Sequence, residues 1–340
     1  MNFFYNYILF IAKSITVMIS IITTFFLINN FTKQKKNQDG SIKITVLETN
    51  FNEIKNNILL SKMSLLEKKI WKKEEKQRIK NKINKEKLEV KNNIKINKPT
   101  LYVLDFKGSI QAKEVSNLRK EISAIISVAQ KNDEVLLRLE SSGGVVHGYG
   151  LAASQLERLK KENIYLTIVV DKIAASGGYM MACVANHIVA APFAIIGSIG
   201  VVSQFPNFNK LLKKNNIDIE LHTAGIHKRN ITMFGENTEL GRKKLCDDLE
   251  QTHILFKNFI QSMRPSLNIN SVANGDHWFG SIALEKKLID SINTSDDVIF
   301  SKKNKFQIIK IQYCRNKKYF DFCFNGIINY IFKIYNKLFL

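Results

Sequence analysis

From Leu101 onward the chain repeats one pattern. A short, almost unbroken apolar run is followed by a longer stretch with apolar residues three and four apart. The runs are "LYVLDF" at Leu101, "EVLLRLE" at Glu134 and "IYLTIVV" at Ile164, and residues 110–130 and 146–161 carry the helical spacing between them. A strand that is apolar on both sides of its pleat is buried on both faces, as when helices cover a parallel sheet. The pattern therefore predicts an α/β domain with largely parallel pairing. "HIVAAP" at His187 and "IDIEL" at Ile217 predict further short strands, and residues 177–186 predict a helix. The apolar stretch 187–202 is broken by Pro192, Gly197 and Gly200. It predicts core strand and turns rather than a membrane span.

Upstream of this domain the chain is built differently. "NFFYNYILFIAKSITVMISIITTFFLI", from Asn2 to Ile28, carries a single Lys and no charge from Ser14 to Ile28. A helix of about 20 apolar residues crosses a bilayer. A cleaved signal peptide would open on a basic region and end on small residues, and neither is evident, so residues 1–30 read as an uncleaved anchor contacting lipid. Lys33, Lys35 and Lys36 follow it, and the positive-inside rule would leave the rest of the chain cytoplasmic. Residues 31–98 hold 19 Lys/Arg against 8 Asp/Glu. With intermittent apolar residues, they read as a helical or disordered tether. Residues 99–300 are then the folded domain and 301–340 an extension, whose end, "YFDFCFNGIINYIFKIYNKLFL", reads as an amphipathic helix on protein or lipid.

The net charge of +21 would suit a nucleic-acid partner, but about half of the excess sits in the tether and the domain has no basic motif. Cys183, Cys246, Cys314 and Cys323 make no CxxC pair and no metal-ligand spacing, so neither a metal nor a disulfide framework is indicated.

Two glycine turns follow strands: "ESSGGVVHG" from Glu140 and "AASGG" from Ala174. Without a Cβ the backbone can turn its N–H groups outward, so converging turns would hold an oxyanion between the N–H groups of Gly144 and Gly177. Neither turn fits a phosphate-binding motif. Ser176 stands between a strand and a helix, which suits a helix cap or a nucleophile. Its base is not fixed by pattern: six histidines leave a Ser-His-Asp triad open, and a lysine kept from water can also serve.

Several separated phrases resolve this by resemblance. "VLDFKGSI", "RLESSGGVVHGYGLAASQLERL", "VDKIAASGGYMMACVA", "APFAIIGSIGVV", "ELHTAGIHKRNITMFGENT" and "MRPSLNI" occur in order across residues 101–297. Together they resemble the signal peptide peptidase A family of membrane-anchored serine–lysine peptidases. The resemblance implies a Clp protease/crotonase-like α/β fold, Ser176 as nucleophile and Lys228 as base, without a cofactor. It further implies Ser198 as the residue orienting the lysine and Gly143 and Gly144 as oxyanion donors. One departure is Ser142, where related sequences commonly have Pro. A homo-oligomer in the bacterial inner membrane, cutting membrane-associated or exported peptides on the periplasmic side, is the further implication. An acyl-CoA enzyme or an inactive scaffold on the same fold are the alternatives.

Overall fold

The computed structural model describes residues 2–33, 40–91 and 98–314. The chain divides into two compact units, one holding the N-terminal helix and the other residues 42–313. The helix, α1 (Asn2–Lys33), contains an 18-residue stretch, Phe4–Ile21, that is long and apolar enough to cross a membrane.

The second unit opens with a strand, β1 (Ser41–Val46), inside the stretch expected to be only tether. Two helices follow, α2 (Leu47–Ser61) and α3 (Leu65–Lys91). Then comes the alternation read from the sequence: β2 (Thr100–Lys107), α4 (Val115–Val128), β3 (Glu134–Glu140), α5 (Val146–Lys161) and β4 (Tyr165–Val170). After it lie β5 (Ile173–Ala175), α6 (Gly177–Ala182), β6 (His187–Ala190) and β7 (Ile195–Gly197). The remainder is α7 (Asn209–Lys214), α8 (Glu239–Met263), α9 (Ile269–Val272), β8 (His277–Phe279), α10 (Gly280–Glu285), β9 (Ser291–Ile292), α11 (Ser295–Lys302) and β10 (Gln307–Cys314).

Seven strands form the main sheet in the order β1-β10-β2-β3-β4-β6-β9, and β10 through β9 pair in parallel. Alternate residues of each strand face opposite ways. Tyr102, Leu104 and Phe106 of β2 join the larger core with Leu118, Ile122 and Ile125 of α4. Leu101 and Val103 join a smaller core with Ile299 of α11 and Ile308 of β10. Each of the buried Leu, Ile, Val and Phe side chains among these contributes about 1.5–3 kcal/mol relative to exposure, which is why the strands read as unbroken apolar runs.

Three expectations change. β10 inserts beside β2, so the fold continues past residue 300 to Cys314 instead of ending before a separate extension. The amphipathic helix expected after it lies outside the described residues. "IDIEL" forms no strand: residues 217–221 are exposed and pair with neither sheet, and a short alternating run holds as a strand only when a partner strand and a packed face support it. Finally, β4 does not run straight to Ser176. A second, three-stranded sheet intervenes, in the order β5-β7-β8, with β5 and β7 parallel and β8 antiparallel.

One ion pair fastens the end of α8 to the strand edge. Both terminal guanidinium nitrogens of Arg264 donate to Asp290, at 2.8 and 2.7 Å, and Asp290 also accepts the Ile188 N–H at 2.7 Å. Partial burial pushes the Asp290 carboxyl up, but the Arg264 and Ile188 bonds outweigh it and hold the carboxyl below the usual range. A carboxyl depressed by folding stabilises the protein above its unfolded value of about 4, and that contribution is lost as pH falls through the lower folded value. Asp290→Asn is therefore expected to cost about 1.5–3 kcal/mol at pH 7, lowering the melting temperature by several degrees. The gap to wild type should close in scans toward pH 3; a gap that stays constant from pH 7 to pH 3 contradicts this account.

Candidate active site

Ser176 lies where a strand end, a helix start and a glycine turn meet. In the parallel register of β5 and β7, Ala175 stands opposite Gly197. The next residues, Ser176 and Ser198, are therefore neighbours, and the Ser176 N–H donates to the Gly197 carbonyl at 2.8 Å. Both serines have left-handed φ, 52° and 49°, a conformation that costs on the order of 1–3 kcal/mol per residue and needs surrounding structure to hold it. A serine in this backbone on a sharp strand-to-helix turn has its hydroxyl displayed rather than folded onto the helix. Consistent with that, Ser176 makes no side-chain cap bond to α6, although its carbonyl accepts the Met180 N–H at 3.0 Å. The helix-cap alternative is thereby removed.

The glycine turn after β3 presses against this serine. Ser141 is stitched to β5 by its N–H to the Ile173 carbonyl and by its carbonyl from the Ala175 N–H, at 2.8 and 3.0 Å. Gly143, with φ +88°, comes so close that a Cβ there would stand 2.8 Å from both the Gly177 nitrogen and the Ser176 Cβ. At Gly144 a Cβ would stand 2.0 Å from the Ile110 carbonyl oxygen. Such gaps admit only glycine. The two expected donors then separate. The Gly143 N–H already donates to the Ser141 hydroxyl at 3.0 Å, so it does not face a ligand. Among the described residues the N–H groups of Gly144 and Gly177 have no hydrogen-bond partner.

Behind the turn are two buried hydroxyls to which the sequence pattern gave no role. Ser141 Oγ and Tyr149 Oη stand 2.5 Å apart, and Tyr149 donates to the Ser109 carbonyl at 2.9 Å. Burial raises the Tyr149 phenol, with the Ser141 bond opposing, so it stays protonated. At the C-cap of α6, burial pushes the Cys183 thiol up, as suits an inert packing side chain.

Lys228 departs from expectation. Its backbone N–H closes a turn on the Gly225 carbonyl at 3.1 Å, but its side chain is exposed, and among the described residues its ammonium has no hydrogen bond or ion pair. Among the described residues no apolar cleft encloses it, contrary to the expectation. The reason is that the segment bearing it folds on itself instead of on the core. Phe208 N–H donates to the Met233 carbonyl, Asn207 Nδ2 to the Thr232 and Gly235 carbonyls, and the Phe208 and Phe234 rings stack at 6.2 Å. Val202 and Ile226 on this segment are left 90% and 89% exposed. The structure thus brings Ser176, Ser198 and the glycine turn together, and leaves Lys228 unbonded to them.

The histidines do not supply a triad among the described residues. His187 bonds Ser291, His222 lies beside Glu220, and His277, opposite Gly197 in the β7–β8 register, is exposed. Nor is there, among the described residues, a group of three or more His, Cys, Asp or Glu side chains suited to a metal.

Comparison with known proteins gives the family of the chain. Residues 2–156 match the N-terminal model of peptidase family S49, and residues 158–308 match the model of peptidase family S49 itself. The chain is 59% identical over 324 residues to "Probable protease SohB" of Buchnera aphidicola subsp. Schizaphis graminum (strain Sg), covering 95% of this chain and 94% of that one. It is 49% identical over 318 residues to "Probable protease SohB" of Haemophilus influenzae (strain ATCC 51907 / DSM 11121 / KW20 / Rd), covering 91% and 88%. Among solved structures, the 1510-N membrane-bound stomatin-specific protease aligns with a TM-score of 0.41 and 17% identity, covering 62% of this chain and 86% of that one.

The closeness of Gly143 to Ser176 is directly testable. Gly143→Ala adds a methyl where φ disfavours it and where two backbone groups already sit. Labelling of Ser176 by a serine-directed phosphonate is expected to slow by about 100-fold, the order of effect of disturbing an oxyanion donor. Wild-type labelling kinetics in that variant would mean the turn does not press on the serine.

Proposed function

This chain belongs to peptidase family S49 and is a serine peptidase; on that premise we propose that Ser176 is its nucleophile and Lys228 its general base. The observation that carries the reading is the Ser176 backbone: left-handed, uncapped by its own side chain, and pressed by a glycine turn whose Gly144 N–H is unengaged. A scaffold that had lost catalysis would have no reason to keep this strain.

The chemistry follows from those positions. Lys228, uncharged, takes the Ser176 proton as Oγ attacks a peptide carbonyl. The oxyanion that forms is held by the Gly144 and Gly177 N–H groups; Gly143 provides the close approach and Ser198 orients the lysine amine. The tetrahedral intermediate collapses, the C–N bond breaks, and Lys228 returns the proton to the leaving amine. Water then enters by the same route and releases the acyl group from the serine. An acyl-CoA enzyme would use the N–H pair alone, so dependence on Ser176 separates the two.

A lysine can act as a base near neutral pH only when it is removed from water. In one chain Lys228 is exposed on a segment whose Val202 and Ile226 are also exposed. Packing against further copies of the chain would cover both, which supports a homo-oligomer as the active form. The finer reading of location rests on α1 as a single-pass anchor in the bacterial inner membrane, with the peptidase domain on the periplasmic side and membrane-associated or exported peptides as substrates. The domain itself is taken as residues 99–300 extended by β10.

Three outcomes test this reading. Ser176→Ala and Lys228→Met are each expected to lose peptide turnover while keeping the wild-type circular dichroism spectrum. Lys228→Arg is also expected to be inactive, since guanidinium does not deprotonate in proteins; an active Arg variant would mean the lysine supplies charge rather than a base. Mixing the Ser176→Ala and Lys228→Met proteins is expected to restore part of the activity if each site draws on two copies. A mixture as dead as its components would confine the pair to one chain.

A further inference from the structure

The buried hydroxyls behind the glycine turn have a fixed direction. Tyr149 has one phenolic hydrogen, and it goes to the Ser109 carbonyl, which can only accept. In the 2.5 Å contact with Ser141 the tyrosine must therefore accept, so Ser141 donates. The Ser141 oxygen is left to accept the Gly143 N–H. The result is a one-way chain from Gly143 N–H through the Ser141 and Tyr149 hydroxyls to the Ser109 carbonyl. Ser109 is itself held, since its N–H and hydroxyl both donate to Glu114, at 3.1 and 2.9 Å. Such a chain strengthens along its length and tolerates little misalignment.

Its position matters more than its strength. The Gly143 N–H is turned inward by Ser141, and the Val145 N–H is bonded to the Ile110 carbonyl at 2.9 Å. The peptide plane that carries the Gly144 N–H lies between these two anchored planes. Tyr149 also reaches the other proposed donor: its ring lies where a Cβ on Gly177 would fall, 2.5 Å from the ring carbon Cγ. Gly108 makes room for the chain, because a Cβ there would stand 2.4 Å from the Tyr149 oxygen and 2.7 Å from that of Ser141. One fully buried side chain thus supports both turns, its hydroxyl through Ser141 and its ring against Gly177.

We propose that Tyr149, acting through Ser141, is a positioning residue that aims the Gly144 N–H at the developing oxyanion and backs Gly177. The proposal rests on the reading of Gly144 and Gly177 as oxyanion donors. An oxyanion exists only after attack, so a misaimed donor weakens the transition state more than substrate binding.

Tyr149→Phe keeps the ring and deletes the link, and Ser141→Ala breaks the same chain at its other member. Steady-state turnover of a peptide substrate by the full-length protein in detergent is measured for both, for their combination and for Ser176→Ala. Each single variant is expected to lower kcat about tenfold, less than the loss of a whole donor, with KM within about twofold. The combination is expected to fall no further than the worse single variant, because both cut one chain. Unchanged kcat in both variants, or a loss confined to KM, overturns the proposal while Ser176→Ala remains dead. Turnover that survives Ser176→Ala overturns the nucleophile reading and the proposal with it. Additive losses in the combination overturn it too, since they would assign the hydroxyls separate roles. Should Tyr149→Phe fail to fold, kcat and KM of Ser141→Ala decide by the same criteria.

Discussion

The bond from the Ser176 N–H to the Gly197 carbonyl extends the parallel pairing of β5 with β7 by one residue, and the site depends on that extension. Without it, two serines 22 positions apart in the chain would have no common register. With it, Ser176 and Ser198 leave their strands side by side, each in a left-handed backbone that the surrounding packing must maintain. The glycine turn is tied into the same small sheet through the bridge from Ser141 to Ala174. The strain at the serine is thereby held by bonds on two sides.

The large sheet and the small one divide the labour. β2, β3, β4 and β6, buried on both faces, provide a rigid platform whose stability comes from apolar area. The small sheet contributes little core but sets direction. The turn after β3, the start of α6 and the end of β7 all converge there. The buried hydroxyl chain adds a layer beneath, in which Gly108, Gly143 and Gly177 are required because other backbone or side-chain atoms occupy the place of a Cβ. Glycines that look like flexible punctuation are here sites of close approach.

The segment carrying Lys228 has the opposite character. It is held together by its own backbone and amide bonds around Thr232 and shares little with the core. A base on such a segment is useful only once something excludes water from it, and its exposed apolar side chains favour that covering. The structure thus joins a rigid half bearing Ser176 to an exposed half bearing Lys228.

Much of this was legible in the residues. The unbroken apolar runs required strands covered on both sides, and the spacing from Val146 to Lys161 gave α5 at its observed bounds. The apolar N-terminal helix followed from length and hydropathy, and the turn at Ser176 with its glycines from the order of small residues between a strand and a helix. These are local properties, encoded in nearest neighbours and periodicity. What tertiary structure alone decided is which distant groups meet. No pattern announces that β10 will insert beside β2, that "IDIEL" will find no edge, or that Gly143 will spend its N–H on Ser141. Nor does Tyr149 on the core face of α5 declare its partners, because a buried hydroxyl is satisfied by whatever the fold brings within about 3 Å. Register, close approach and direction of hydrogen bonding are relations between segments, and they exist only once the chain has closed.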